Sequence, residues 1–363
     1  MLKRLIGSHA SLEEIEHSVV SLTDLGVVGD LLKAEGVQVT VLGMRNMLDV
    51  PRVVYQLFTL LRESRPEIVQ TWMYHADLLG GLVARVAGVK SIIWGVRTTD
   101  VGSGGKRSTV AIRKICALLS FFLPNVIVCA ANSSRKAHAM LGYCDDKMLV
   151  IPNGFEISRL QASAQQRDSL RTQLGIRPEE LVVGSLGRFN PVKDQANFIA
   201  ASALVAKRYS SAKFLLVGRD LDVTNIKIMQ LLEATGYSDR FILLGERQDV
   251  AVCLKAMDIF CLHSRTEGFP NVLGEAMCMA LPCVTTDVGD AAYLLGGNGV
   301  VVPSQDAPAL AEGLSKMFEL DSEARFTMGK AGQLRVYENF TLERASQRFL
   351  ELYKKLIASR FTN

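Results

Sequence analysis

Glu267 and Glu275 stand eight positions apart in the run Ser264-Arg265-Thr266-Glu267-Gly268-Phe269-Pro270-Asn271-Val272-Leu273-Gly274-Glu275-Ala276-Met277. An apolar, strand-like run at 258–263 leads in and a helix-like run at 272–280 leads out. Pro270 suits the first turn of a helix, where a missing N–H costs nothing. Glu267 is therefore expected on the loop before a helix N-terminus, with Glu275 about two turns inside the helix. The stretch Gly268, Phe269, Pro270, Asn271 and Val272 would bring unsatisfied backbone N–H groups to that end, a natural seat for phosphate oxygens. One acid on the loop, another on the helix and a phosphate cradle between them form an arrangement suited to a nucleotide sugar.

A second loop carries cations. In Ser185-Leu186-Gly187-Arg188-Phe189-Asn190-Pro191-Val192-Lys193-Asp194, Arg188 and Lys193 follow a strand-like run directly. Arginine can take two phosphate oxygens at once, and lysine acts as a compact point charge; the blander reading is a solvated loop pair. His75, in Thr71-Trp72-Met73-Tyr74-His75-Ala76, is expected in a loop between a strand ending near 71 and a helix starting near 76. Open α/β sheets bind ligands at such carboxyl ends of strands; otherwise His75 caps the helix start. Arg97 and Asp100 also follow a strand and are candidate contacts for an acceptor. His263, at the end of the strand before Glu267, is placed to support the site from behind.

These motifs resemble the retaining glycosyltransferases of family 4. The Glu-x7-Glu motif is the run around Glu267 and Glu275. The 185–194 stretch looks like the family's donor-phosphate loop. Phe241-Ile242-Leu243-Leu244-Gly245-Glu246-Arg247-Gln248-Asp249-Val250 looks like its base-binding loop, and Leu149-Val150-Ile151-Pro152-Asn153-Gly154 like the strand leading out of the first domain. The resemblance implies a GT-B fold, α/β, with two Rossmann-like doubly wound domains facing across a cleft. It implies that Gly187, Arg188 and Lys193 hold the donor diphosphate. Glu275 would accept hydrogen bonds from the ribose and Glu267 from the transferred sugar. Gly245, Arg247 and Val250 would lie at the base, with Arg247 stacking there or remaining an exposed loop cation. His75 would line the donor sugar. The implied activity is transfer of a hexose-type sugar from a nucleotide-diphosphate sugar, as co-substrate, to a glycan or lipid-linked glycan in exopolysaccharide, capsule or lipopolysaccharide assembly. No cofactor is expected. With no Asp-x-Asp motif, no metal is expected either. Two rival readings remain: a nucleotide-sugar epimerase of the same fold, and an inactive nucleotide-sugar-binding protein.

These loops must be positioned by parallel strands. Apolar runs at 18–22, 37–42, 67–71, 91–95, 125–130 and 148–151 alternate with helical patterns, and a second series follows at 181–186, 213–217, 241–244, 258–262, 282–285 and 299–302. Repeated strand–helix alternation predicts parallel sheets covered by helices on both faces. The expected domains are 1–165 on the acceptor side and 166–340 for the nucleotide sugar. The polar stretch 158–177 would be a connection and entry helix, and the amphipathic segment 341–363 a helix returning to the first domain. In the family a buried strand and a glycine-rich loop precede the first helix. Met1-Leu2-Lys3-Arg4-Leu5-Ile6 resembles the interior of that helix, so an empty lane is expected between the strands at 18–22 and 67–71.

The chain of 363 residues has 48% hydrophobic and 21% charged residues, enough for two cores. A net charge of +4, without a dense basic run carrying aromatics, gives no reason to expect nucleic acid. Seven cysteines, none in a Cys-x-x-Cys pair, read as reduced core thiols. No signal peptide is expected at the start, and 115–131 is broken by Pro124 and Asn125, so no transmembrane span is expected. The expected location is cytoplasmic. The basic stretch 106–114 suits peripheral contact with the inner membrane face, or equally a solvated helix start. Gly102-Ser103-Gly104-Gly105-Lys106-Arg107-Ser108 lacks the order of a Walker loop and is expected to be a linker.

Overall fold

The computed structural model describes residues 1–10, 12–99 and 107–359. The chain forms two compact units, Met1–Gly154 with Leu342–Asn363, and Phe155–Thr341. Among the described residues twelve strands alternate with helices, each at one of the apolar runs expected from the sequence.

The second unit holds β7 (Leu181–Leu186), β8 (Ala212–Val217), β9 (Phe241–Leu243), β10 (Ile259–Leu262), β11 (Cys283–Thr286) and β12 (Gly299–Val302). All pairings are parallel and the order is β12-β11-β10-β7-β8-β9. This is the doubly wound arrangement, with the strand order reversing between β7 and β10. β10 is buried throughout and β7 nearly so. A central parallel strand covered on both faces is largely apolar, which is why β10 reads as an uninterrupted hydrophobic run and β7 as one broken only by Gly184 and Ser185.

The first unit holds β1 (Ser18–Ser21) and β2 (Gln38–Val41) in one parallel sheet. A second parallel sheet has the order β3 (Ile68–Gln70), β4 (Ser91–Val96), β5 (Val126–Cys129), β6 (Met148–Val150). β1 and β3 do not pair. Between them lies a cavity of about 710 Å³, lined by Ser18 to Leu22 on one side, Glu67 to Met73 on the other, and closed by Leu5, Leu350 and Tyr353. The lane expected to be empty is open. The helix Leu342–Ala358 buries Phe349, Leu352 and Leu356 with Leu5, Ile93 and Val128 of this unit, so the C-terminal helix does belong with the first unit.

The boundary falls at Gly154/Phe155, eleven residues before the expected position. Phe155 is fully buried in the second unit, stacks on Phe269 at 6.0 Å and takes Phe340 O as backbone acceptor at 2.9 Å. The polar stretch after it is not a free connection. Its helix Ala164–Gln173 begins with a Ser163/Gln166 capping box, and Arg167 and Arg171 donate to Asp258 at 2.8 and 2.9 Å. No helix among the described residues is long and apolar enough to cross a membrane. The seven cysteines are free and six are buried. Burial pushes the Cys116 and Cys129 thiols up to about 12.

Candidate active site

The carboxyl ends of β7 and β10 meet at the switch point of the second sheet, where Ile259 and Phe260 of β10 lie beside Val183 and Gly184 of β7. The loop after β7 carries Gly187, Arg188 and Lys193. Asn190 caps its short helical turn by accepting from Val192 N at 3.1 Å, and Gln195 holds it by donating to Arg188 O at 2.9 Å. The loop after β10 carries Glu267. Arg265 N donates to Val192 O at 2.8 Å and Arg265 Nη2 to Asp194 Oδ1 at 2.8 Å, tying the two loops together.

That tie brings the predicted charges into contact. Lys193 Nζ lies 2.5 Å from Glu267 Oε1, and Ser264 Oγ donates to the same oxygen at 2.7 Å. Arg188 is exposed, and no side-chain partner of its guanidinium is found among the described residues. Asn271–Cys278 is the helix that follows, with Pro270 as its N-cap rather than inside its first turn. Glu275 is therefore the fifth helical residue, a little over one turn in and not two. Gly268, Phe269, Asn271 and Val272 stand at the helix start as expected.

His263 supports this site through both ring nitrogens. It is buried, stacks on Phe198 at 4.6 Å, and its Nδ1 lies 2.5 Å from Lys193 O and its Nε2 2.7 Å from Ser185 Oγ. A carbonyl only accepts, so Nδ1 carries the proton and Nε2 accepts from the Ser185 hydroxyl. Burial holds the imidazole down to about 4, keeping it neutral at physiological pH.

Two glycines set close approaches that the motif reading did not single out. Gly289, at φ 57°, lies so near the Glu267 loop that a Cβ would meet Glu267 O at 2.4 Å and Gly268 O at 2.5 Å. The next residue, Asp290, donates its N–H to Gly268 O at 2.8 Å. At Gly218 (φ 148°) a Cβ would meet Gly187 O at 2.2 Å. Their signal in the sequence was a glycine just past a strand end.

Gly245 joins the base-loop candidate to this edge: its carbonyl accepts from Gly218 N at 2.7 Å. Arg247 points its Nε and Nη2 at Asp249 at 2.8 and 2.7 Å, so here it is an ion-paired loop cation. Val250 opens the helix Val250–Lys255. In the first unit, His75 is exposed and lies inside the first turn of the helix Tyr74–Val86, not in the loop before it, because that helix begins two residues early behind Met73 at φ 75°. It lines the lane cavity. Arg97 follows β4 and donates to Asn153 Oδ1 at 2.9 Å. Asp100 and the 102–106 stretch lie outside the described residues.

Comparison with known proteins fits this geometry. The family description "Glycosyltransferase Family 4" matches residues 11–159, and "Glycosyl transferases group 1" matches residues 180–319. The chain belongs to the group 1, family 4 glycosyltransferases. Among curated relatives, an Escherichia coli UDP-Gal:alpha-D-GlcNAc-diphosphoundecaprenol alpha-1,3-galactosyltransferase is 24% identical over 309 residues, 84% of this glycosyltransferase and 79% of that protein. The lipopolysaccharide core biosynthesis mannosyltransferase LpsB of Rhizobium meliloti is 24% identical over 245 residues, 65% of this chain and 68% of its own. HepE of Anabaena, solved in complex with UDP, shares the fold with a TM-score of 0.85 at 21% identity, covering 98% of this chain and 95% of that one. The two Rossmann-like units thus make this glycosyltransferase a GT-B protein, of the kind found in polysaccharide biosynthesis.

Proposed function

We propose that this glycosyltransferase moves a hexose-type sugar from a nucleotide-diphosphate sugar to a hydroxyl of a glycan or lipid-linked glycan, with retention of anomeric configuration and without a metal ion. The observation that carries this reading is the Lys193–Glu267 contact beside the exposed Arg188, at the switch point of a doubly wound sheet. As the glycosidic bond breaks, negative charge collects on the departing diphosphate. Fixed cations and backbone dipoles aimed at that charge lower the barrier because they need no reorganisation. In this reading Arg188, Lys193 and the N-terminus of the helix Asn271–Cys278 supply those cations and dipoles. Glu267, positioned by Lys193 and Ser264, accepts hydrogen bonds from the hydroxyls of the transferred sugar, and Glu275 from the ribose. In this reading His75 and the first unit serve the sugar and the acceptor. The acceptor oxygen attacks from the face the leaving group departs, and a leaving phosphate oxygen takes its proton.

The donor preference is proposed from relatives: the Escherichia coli relative is named for UDP-Gal and HepE was solved with UDP-glucose. Leu118 and Phe122, 73% and 81% exposed, lie at and just past the carboxyl end of the helix Arg107–Leu119, with the exposed Lys114 one turn before Leu118, and are the basis for proposing peripheral membrane contact at the cytoplasmic face. Incubation with UDP-glucose or UDP-galactose, a glycan-diphosphate-lipid acceptor and excess chelator tests the core of the proposal. The expected product is an α-linked glycan, read from its anomeric coupling. A β-linkage, loss of activity restored by Mg²⁺, or sugar epimerisation without acceptor would each contradict it.

A further inference from the structure

Arg97 sits at the carboxyl end of β4, with its guanidinium held on two sides. The plane lies over the Trp72 ring, with Cζ 4.2 Å from the centroid, and Nη1 donates to Asn153 Oδ1 at 2.9 Å. The remaining edge, Nε–H with Nη2–H, is buried and has no partner among the described residues. These two N–H groups are parallel and spaced for two oxygens of one carboxylate or phosphate. The chain fills the same edge elsewhere. Arg135 places Nε and Nη2 on the two oxygens of Asp145 at 2.7 and 2.9 Å, and Arg247 does so on Asp249.

At Arg97 no Asp or Glu among the described residues takes that place. Burial lowers the Arg97 pKa to about 10, so the group remains charged at neutral pH. A buried charge without a counter-charge is costly, whereas a pre-oriented, stacked fork is well suited to receive an anion. Gln70 Nε2 is another buried donor without a partner among the described residues, its Oε1 held by Tyr353 Oη at 2.5 Å. Trp72, which stacks on Arg97, and Gln70 and Tyr353 all border the open lane between β1 and β3.

We propose that Arg97 is an oxyanion anchor whose Nε/Nη2 edge binds two oxygens of a phosphate or carboxylate group on the acceptor. The assignment of the anion to an acceptor rests on the proposed transferase reaction; the binding of the anion does not. Trp72 is the reporter. The chain has two tryptophans, Trp72 and Trp94, so the full-length protein labelled with 5-fluorotryptophan gives two ¹⁹F resonances, assigned with Trp72→Phe. Inorganic pyrophosphate is titrated in one arm and malonate in the other, at ionic strength matched with chloride.

The expected result is a saturable shift of the Trp72 resonance with at least one of the two anions, while Trp94 stays in place and reports an intact fold. A response to pyrophosphate alone assigns a phosphate ligand, and a response to malonate alone a carboxylate. Arg97→Gln should abolish the shift. Arg97→Lys, which keeps the charge but loses the fork, should weaken binding at least about ten-fold. Arg188→Ala should leave the Trp72 shift unchanged, which separates this site from the donor-phosphate loop. No shift of Trp72 with either anion, or an equal shift in Arg97→Gln, overturns the proposal, and neither result depends on turnover.

Discussion

Lys193 Nζ and Glu267 Oε1 lie 2.5 Å apart although 74 positions separate them in the chain. The contact joins the loop after β7, proposed to hold the donor phosphate, to the acid after β10 that is proposed to hold the sugar. Arg188→Ala and Lys193→Ala should each lower kcat/KM by roughly 2–4 kcal/mol, about 30- to 1,000-fold, because each removes a fixed charge from the departing phosphate. Arg188→Ala should leave the melting temperature unchanged, since the side chain is exposed. Lys193→Ala should also lower it, because Glu267 loses a half-buried counter-charge. Near wild-type turnover in both variants would remove the loop from the mechanism.

The two glutamates should separate in a calorimeter. Glu275→Gln should weaken binding of a bare nucleoside diphosphate, because the ribose loses an ionised acceptor. Glu267→Gln should spare that binding and impair transfer. Equal losses of bare-nucleotide affinity would contradict the division of labour.

Gly289→Ala tests the close approach behind Glu267. Its Cβ would meet Glu267 O at 2.4 Å, whereas at Gly297, also left-handed at φ 84°, a Cβ meets nothing within 4 Å. Both variants carry a left-handed backbone penalty of about 1 kcal/mol. Gly289→Ala should lose more stability and most of its transfer activity, and Gly297→Ala only a little stability. Differential scanning calorimetry and a transfer assay on the same samples compare them.

Asp77 predicts a pH dependence of stability. Its carboxyl is buried, accepts from Thr71 Oγ1 at 2.5 Å, and burial pushes its pKa from 3.8 up to about 8. The folded chain therefore keeps a proton that the unfolded chain has already released. Its stabilisation is fully present below about pH 4 and is lost as pH rises to about 8. Asp77→Asn, the isostere of the neutral acid, should remove this part of the slope. Urea unfolding across that range checks it, and parallel pH profiles for the two proteins would refute the assignment.

The open lane between β1 and β3 leaves two strand edges without neighbours. Local opening follows local stability, so amides of β1 and β3 should exchange faster than those of β7 and β10. Uniformly slow exchange across all three sheets would show the lane to be closed in solution.

Much of this architecture was legible in the linear chain. Each of the twelve strands among the described residues was signalled by a local apolar run; for the central ones, such as β4, β7 and β10, the reason is that a strand buried in a parallel sheet is apolar over most of its few residues. The loops carrying Arg188, Lys193 and Glu267, and the helix carrying Glu275, were legible for the same reason: each loop follows its strand directly. The contacts that make these loops a site were decided elsewhere. The Lys193–Glu267 pair, the His263 bridge between Ser185 and Lys193, and the pressure of Gly289 on Glu267 all depend on which strand ends lie side by side. That order is set by chain crossovers in space, and no local periodicity encodes it. The same holds for the boundary at Phe155, fixed by an aromatic buried against Phe269 rather than by the polar composition after it. Sequence spacing placed Arg97 after a strand, but only the folded neighbourhood revealed that one edge of its guanidinium has no partner among the described residues.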